Sequence, residues 1–154
     1  MKKMTMTEQW PIISYVTKKF GIKWTAYVDD IGASAWAAPE HGSICVAIMD
    51  RSRSHLMSML FHEICHCIAF RTGKYVGYHD FKTKNCTRAQ VLVYKRTALS
   101  AELYVNSMAR KLLRKTFPSE VYLRSYTTKE SRDWLKLYVK LSTDDIEYKG
   151  AVND

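Results

Sequence analysis

The sequence lacks the features of a disulfide scaffold, a secreted precursor or a membrane protein. Its four cysteines form no C-x-x-C pair and have no regular spacing. This argues against a disulfide framework and against a cysteine-rich zinc ribbon. No apolar stretch follows the N-terminal lysines, so we expect no secretory signal. No run approaches the roughly 18 apolar residues of a membrane span. We therefore expect a cytoplasmic location and no membrane partner.

What remains is an ordinary globular composition with an excess of positive charge. The 154 residues are 47% hydrophobic and 25% charged, which suits one domain able to bury a core. We expect a single domain over residues 1–141 and a frayed tail over 142–154. Lys and Arg number 24 against 15 for Asp and Glu, a net charge of +9. Such a charge favours anionic partners, of which nucleic acid is the commonest.

The first third of the chain predicts a helix followed by strands. Apolar residues recur at helical spacing over 7–20, and Gly21 is a natural stop. Three short segments then have the alternation or the β-forming residues of strands, at 22–28, 33–38 and 43–49. We expect them to form a small twisted three-stranded sheet, and hence an α+β fold. The four tryptophans fall at positions predicted to face the core.

The rest of the chain predicts further helices. One covers 55–70, is capped by Ser52 or Ser54 and ends near Gly73. Residues 74–90 are expected to form a loop. A second helix is expected over about 97–115, with an earlier start as an alternative. Its expected apolar anchors are Leu99, Leu103, Met108, Leu112 and Leu113. A capping-box signature at 127–130 predicts a last helix.

The motif that carries chemistry lies on the first of these two helices. His62-Glu63-Ile64-Cys65-His66 is an H-E-x-x-H sequence. Positions i and i+4 share one helix face, so both imidazoles can reach a single zinc ion. Glu63 follows the first ligand and can take a proton from a metal-bound water. The two cysteines beside His66 are turned away from this face, and we expect them in the core.

A catalytic zinc needs a third protein ligand and an open fourth position. Glu102 lies on the next predicted helix. Asn106, one turn later on the same face, could hydrogen-bond the free ring nitrogen of a ligand histidine. His79, in the sequence GYHDF, is the other candidate for the third ligand. His41 lies in a predicted turn and His55 two turns before the motif, so both are weaker candidates.

The arrangement resembles the small gluzincin metallopeptidases, most closely the ImmA/IrrE-like family and its phage relatives. The resemblance extends over roughly residues 43–118 and includes a helix with the sequence ALSAELYVNSMARKLL. In that family the second helix supplies a glutamate ligand, which implies Glu102 here. The chain departs from the pattern at Cys65, where the family often has Gly, and at Leu103, where a small Ala is common.

Two alternatives are open. The segment TGKYVGYHDFKTK is similar to the Gly-Tyr-His segment of SprT-like metalloproteases, which would make His79 the third ligand and associate the protease with DNA. The other alternative is a non-enzymatic protein that has a regulatory role or binds nucleic acid. It is suggested by basic pairs interleaved with tyrosines, at 18–19, 95–96, 110–111 and 114–115.

The favoured prediction is a compact zincin-like metallopeptidase, with a small sheet packed on the motif helix and a second ligand-bearing helix after it. His62, His66 and Glu102 hold one Zn²⁺ per chain, and Glu63 is the catalytic base that activates water to hydrolyse a protein or peptide substrate. In zincins of this layout the strand over 44–49 commonly forms the lip of the cleft. From sequence alone a central strand is an equal alternative.

Overall fold

The computed structural model describes residues 2–27, 35–74, 88–122 and 133, and their architecture is α+β. The helices in these ranges are α1 (Met6–Lys19), α2 (Arg53–Arg71) and α3 (Arg88–Thr116). The strands are β1 (Lys3–Met4), β2 (Lys23–Tyr27), β3 (Ala35–Ala38), β4 (Ser43–Ala47) and β5 (Arg51–Ser52). A single 3₁₀ turn, Pro39–His41, joins β3 to β4. None of the helices described is both long and apolar enough to cross a membrane.

Local sequence signals set both ends of α1. Thr5 caps its first turn in a reciprocal capping box with Glu8, whose carboxylate accepts the backbone N–H of Thr5 at 2.8 Å. At the other end Gly21 adopts a φ of 63°, a conformation that side chains with a Cβ disfavour. The N–H of Ile22 then reaches back to the carbonyl of Thr17 at 3.0 Å. The predicted stop at Gly21 is confirmed.

The predicted three-stranded sheet is present, with the order β2-β4-β3. β2 lies parallel to β4, and β3 lies antiparallel to it on the other side. The strand that precedes the motif helix is therefore central, with both hydrogen-bonding sides occupied. Ile44 and Val46 on this strand are fully buried. Of the two alternatives for this strand, the lip of a cleft or a central strand, the structure shows the central strand, and β2 and β3 are the edges of this sheet.

A small second sheet of β1 and β5 has no counterpart in the sequence-based prediction. Each strand has only two residues, paired antiparallel. Gln9, which is fully buried, donates from its amide nitrogen to the carbonyls of Met4 and Met49, at 2.8 and 3.0 Å. Side-chain hydrogen bonds to the backbone thus attach this ribbon to α1.

Helix α2 is the centre of the core. It is capped by Ser52, whose hydroxyl accepts the N–H of His55 at 3.2 Å, and it ends before Gly73, which has a φ of 73°. Twelve of its 19 residues are buried. Because most of this helix is packed against other parts of the protein, several of its polar side chains are buried.

Helix α3 begins at Arg88, so the end of the expected 74–90 loop is helical. Its buried stripe consists mainly of small residues, Ala98, Ala101, Val105, Ala109 and Leu113. Leu103, an expected anchor, is 38% exposed. The prediction failed because the buried stripe also contains the polar residues Glu102 and Asn106, which a hydrophobic pattern assigns to the surface.

Two tryptophans also differ from the expectation of a core position. Trp10 is 48% exposed and Trp36 is 38% exposed. Each packs against another aromatic ring: Trp10 against Trp24 at 5.4 Å between centroids, and Trp36 against Tyr27 at 4.1 Å. Each of these partly exposed rings is therefore covered in part by an aromatic neighbour.

The chain divides into two compact units. One comprises Met1–Lys74 and Val105–Leu123, and it contains both sheets, α1 and α2. The other comprises Tyr75–Tyr104 and Arg124–Asp154, and α3 continues from this unit into the first. The single domain over 1–141 stays a prediction. The expected last helix and the tail over 142–154 lie outside the described residues, apart from Asp133.

Candidate metal centre

The two motif histidines lie one turn apart on the buried face of α2. His62 is 8% exposed and His66 is 6% exposed. Their Nε2 atoms are 3.1 Å apart. Two nitrogens bound at 2.0–2.1 Å to one tetrahedral zinc ion are separated by about 3.3 Å. The histidine side chains thus already have nearly the separation that shared ligation requires.

A hydrogen bond to α3 sets the tautomer of His62. Its Nδ1 lies 2.8 Å from Oδ1 of Asn106, an oxygen that can only accept, so Nδ1 carries the proton. The lone pair of His62 is then on Nε2, the nitrogen that faces His66. The structure therefore places Asn106 against a ring nitrogen of a motif histidine, as the sequence suggested.

The third member of the group is Glu102, one turn before Asn106 on α3. It is 5% exposed. The ligand atoms of His62, His66 and Glu102 all lie within 4.8 Å of one another. A buried carboxylate is costly unless a positive charge or hydrogen bonds compensate for the lost water. Within the described ranges this is the one group of three or more histidine, cysteine or acidic side chains that could hold a metal ion.

Glu63 lies beside this group and is only partly buried. Glu63 lies one turn before Cys67 on α2, close enough for its charge to change the pKa of the Cys67 thiol. Burial, followed by the negative charge of Glu63, raises the pKa of the Cys67 thiol to about 11. That thiol donates to the backbone carbonyl of Ser43 at 3.5 Å. Glu63 is thus on the flank of α2 that faces the start of β4, next to the ligand face without being part of it.

The cysteines of the motif region belong to the core, as expected. Cys65 and Cys67 are fully buried. Burial raises the pKa of Cys65 to about 12, so its thiol stays protonated at neutral pH. Among the described residues, neither thiol belongs to the group of side chains that could hold a metal ion.

The weaker histidine candidates are not part of the group. His41 lies in the 3₁₀ turn, 3.7 Å from the carboxylate of Glu40. His55 lies in the first turn of α2, where burial and then the charge of Arg51 lower its pKa. His79 lies outside the described residues.

One residue of the site was missed by sequence reasoning. Tyr122 is buried, and its hydroxyl donates to Oδ1 of Asn106 at 3.2 Å. The same oxygen therefore accepts from both Tyr122 and His62, which fixes the orientation of the Asn106 amide. Tyr122 follows the end of α3 in a segment without regular structure, so neither a motif nor periodicity could have identified it.

Comparisons of the chain with protein-family models, with curated proteins and with solved structures found no match.

Proposed function

We propose that this protein is a zinc-dependent metallopeptidase that hydrolyses peptide bonds in a protein or peptide substrate. The observation that carries the proposal is the buried convergence of His62, His66 and Glu102. Glu63 is adjacent in sequence to the first of them and lies on the neighbouring flank of α2.

The residues present fit a zinc ion. Two imidazoles and one glutamate are a donor set of catalytic zinc sites in peptidases. The 3.1 Å separation of the two Nε2 atoms and the protonated Nδ1 of His62 both suit ligation through Nε2. Structural zinc sites are usually closed by four protein ligands, whereas the described residues bring three together. This favours an enzyme over a protein with a structural zinc.

The roles of the side chains follow from their positions. His62, His66 and Glu102 would hold the ion. When bound, zinc supplies Lewis acidity, which polarises a carbonyl and makes water acidic near neutral pH. Glu63 accepts a proton from the attacking water and passes it to the leaving amine. Since water is the nucleophile, no covalent bond forms between the enzyme and its substrate.

The first test is metal content, measured by elemental analysis on untagged protein. We expect about one zinc per chain in the parent and in Glu63→Gln. Glu102→Ala should lose zinc, while Glu40→Gln, which changes an exposed carboxylate outside the group, should retain it. If His79→Ala loses zinc and Glu102→Ala retains it, the third ligand is wrong. A parent that binds no zinc after reconstitution would contradict the whole proposal.

The second test is peptide hydrolysis, followed by mass spectrometry on a degenerate peptide library. The zinc-loaded parent should cleave it, and a chelator should stop cleavage. Glu63→Gln should keep its zinc and lose about 100-fold or more of the rate, because an amide cannot accept the proton that the proposed base takes from water. Cleavage by Glu63→Gln at the parental rate would refute the assigned base.

A further inference from the structure

The C-terminal ends of α1 and α3 meet around one buried aromatic ring. Phe20 follows α1, and Phe117 follows α3. Both contact Phe61 of α2, at 5.5 and 5.9 Å between ring centroids. Tyr15 of α1 contacts Phe117 at 6.3 Å. The C-terminal ends of two helices that are distant in sequence are therefore linked through aromatic rings, within the first compact unit.

Both last turns are rich in positive charge. The exposed basic residues near these ends are Lys18 and Lys19 on α1 and Lys111, Arg114 and Lys115 on α3. Lys111 is three and four residues before Arg114 and Lys115, so it shares a face of α3 with each of them. Lys18 and Lys19 are adjacent on α1. Tyr15, one turn before Lys18 and Lys19, is 60% exposed. We call these six residues the basic helix-end surface.

The surrounding sequence contains no acidic residue to balance this charge. Residues 9–28 and 103–119 contain no Asp or Glu. Two of the nearest acids have other partners: Glu8 caps α1, and Glu120 pairs with Arg53 at 2.6 Å. A third, Glu102, belongs to the metal group. Within the described residues none of the five cations forms an ion pair.

Compensation of helix dipoles does not account for so many cations. A helix C-terminus is equivalent to about half a negative charge. At the end of α1, Arg71 already donates to the carbonyls of Phe20 and Gly21, at 3.3 and 2.9 Å. Lys18 and Lys19 are therefore in excess there, and the surface has a net positive charge after both dipoles are counted.

We propose that the basic helix-end surface binds single-stranded nucleic acid. Its cations would contact phosphates, and the exposed ring of Tyr15 would stack on a base. An anionic membrane fits less well, because membrane-surface sites insert large apolar side chains, whereas Phe20 and Phe117 pack around Phe61. The proposal is independent of the metal site and of peptide hydrolysis.

The test is fluorescence anisotropy with a labelled 20-mer of thymidine at several salt concentrations. Five phosphate contacts predict that the dissociation constant rises about 100-fold between 50 and 200 mM salt. Lys18→Gln/Lys19→Gln should lower the slope of log affinity against log salt by about 1.4. The matched control Lys2→Gln/Lys3→Gln removes the same charge from exposed lysines in β1 and just before it, and should leave the slope unchanged.

Tyr15 has its own readout. Tyr15→Leu keeps an apolar contact with Phe117 and removes the stacking face, so affinity should fall about 5- to 100-fold with the salt slope unchanged. Tyr15→Phe should restore it. Equal losses in the Lys2/Lys3 control, tighter binding to a 20-bp duplex than to the single strand, or binding only to phosphatidylserine vesicles would each overturn the proposal. So would no binding at 50 mM salt.

Discussion

Asn106 gives the most direct test of the geometry around the metal group. Its Oδ1 accepts two hydrogen bonds, from Nδ1 of His62 at 2.8 Å and from the hydroxyl of Tyr122 at 3.2 Å. Asn106→Ala removes the acceptor of both hydrogen bonds at once in a buried position. His62 then loses the acceptor that holds its ring and keeps the proton on Nδ1.

The expected loss has two separate parts. Substitution of groups that orient a metal-bound histidine weakens metal binding by about 10- to 100-fold. Two buried donors without an acceptor destabilise the fold by about 1–3 kcal/mol each, less where water enters the space. Tyr122→Phe removes only the weaker hydrogen bond and leaves that of His62 intact. We expect it to lower stability by about 0.5–1.5 kcal/mol and to change zinc affinity by less than about 10-fold.

Zinc affinity is measured by competition with a chromogenic chelator, and the free energy of unfolding by urea denaturation of metal-free protein. Asn106→Asp is the matched variant, since it keeps an acceptor oxygen toward His62 and should bind zinc nearly as tightly as the parent. If Asn106→Ala bound zinc as tightly as the parent while Glu102→Ala lost it, the assignment of the His62 tautomer would be wrong.

Two other predictions concern the core. Phe61 is fully buried between Phe20 and Phe117. Phe61→Ala should therefore lower the free energy of unfolding by about 3–5 kcal/mol in urea denaturation, and a loss below about 1 kcal/mol would contradict this packing. The raised thiol pKa values predict that iodoacetamide at pH 8 leaves Cys65 and Cys67 unmodified in the native protein and alkylates them in urea. Peptide mapping measures the alkylation of each cysteine in the native and the urea-unfolded protein. Labelling of Cys65 in the native protein would refute its burial.

The elements that sequence predicted well are those set by local chemistry. The helix that ends at Gly21 and the helix capped by Ser52 have their signals within a few residues of each end. The H-E-x-x-H spacing places His62 and His66 on one helix face by the geometry of the helix itself. These features need no information about distant parts of the chain.

The features that sequence missed depend on distant contacts. The order of the sheet is one, because alternation identifies the strand at 43–47 but not its neighbours. The two-residue strands of the small sheet are another, since a periodic pattern cannot exist over two residues. Tyr122 is a third. Its place in the site results from its hydrogen bond to Asn106, and the residues next to it in sequence do not predict that contact.

The rotation of α3 about its axis links these failures to the proposed function. A helix selected only for packing would bury Leu103 and expose its neighbour Glu102. The structure has the reverse, with Leu103 at 38% exposure and Glu102 and Asn106 in the buried stripe. Burying polar groups is unfavourable unless each has a partner, and polar groups in a core are retained where they serve a purpose that packing does not. Here Asn106 accepts a hydrogen bond from His62, and Glu102 lies with both histidines in the group that could hold a metal ion. The place where hydrophobic patterning fails is therefore the place where the proposed chemistry resides.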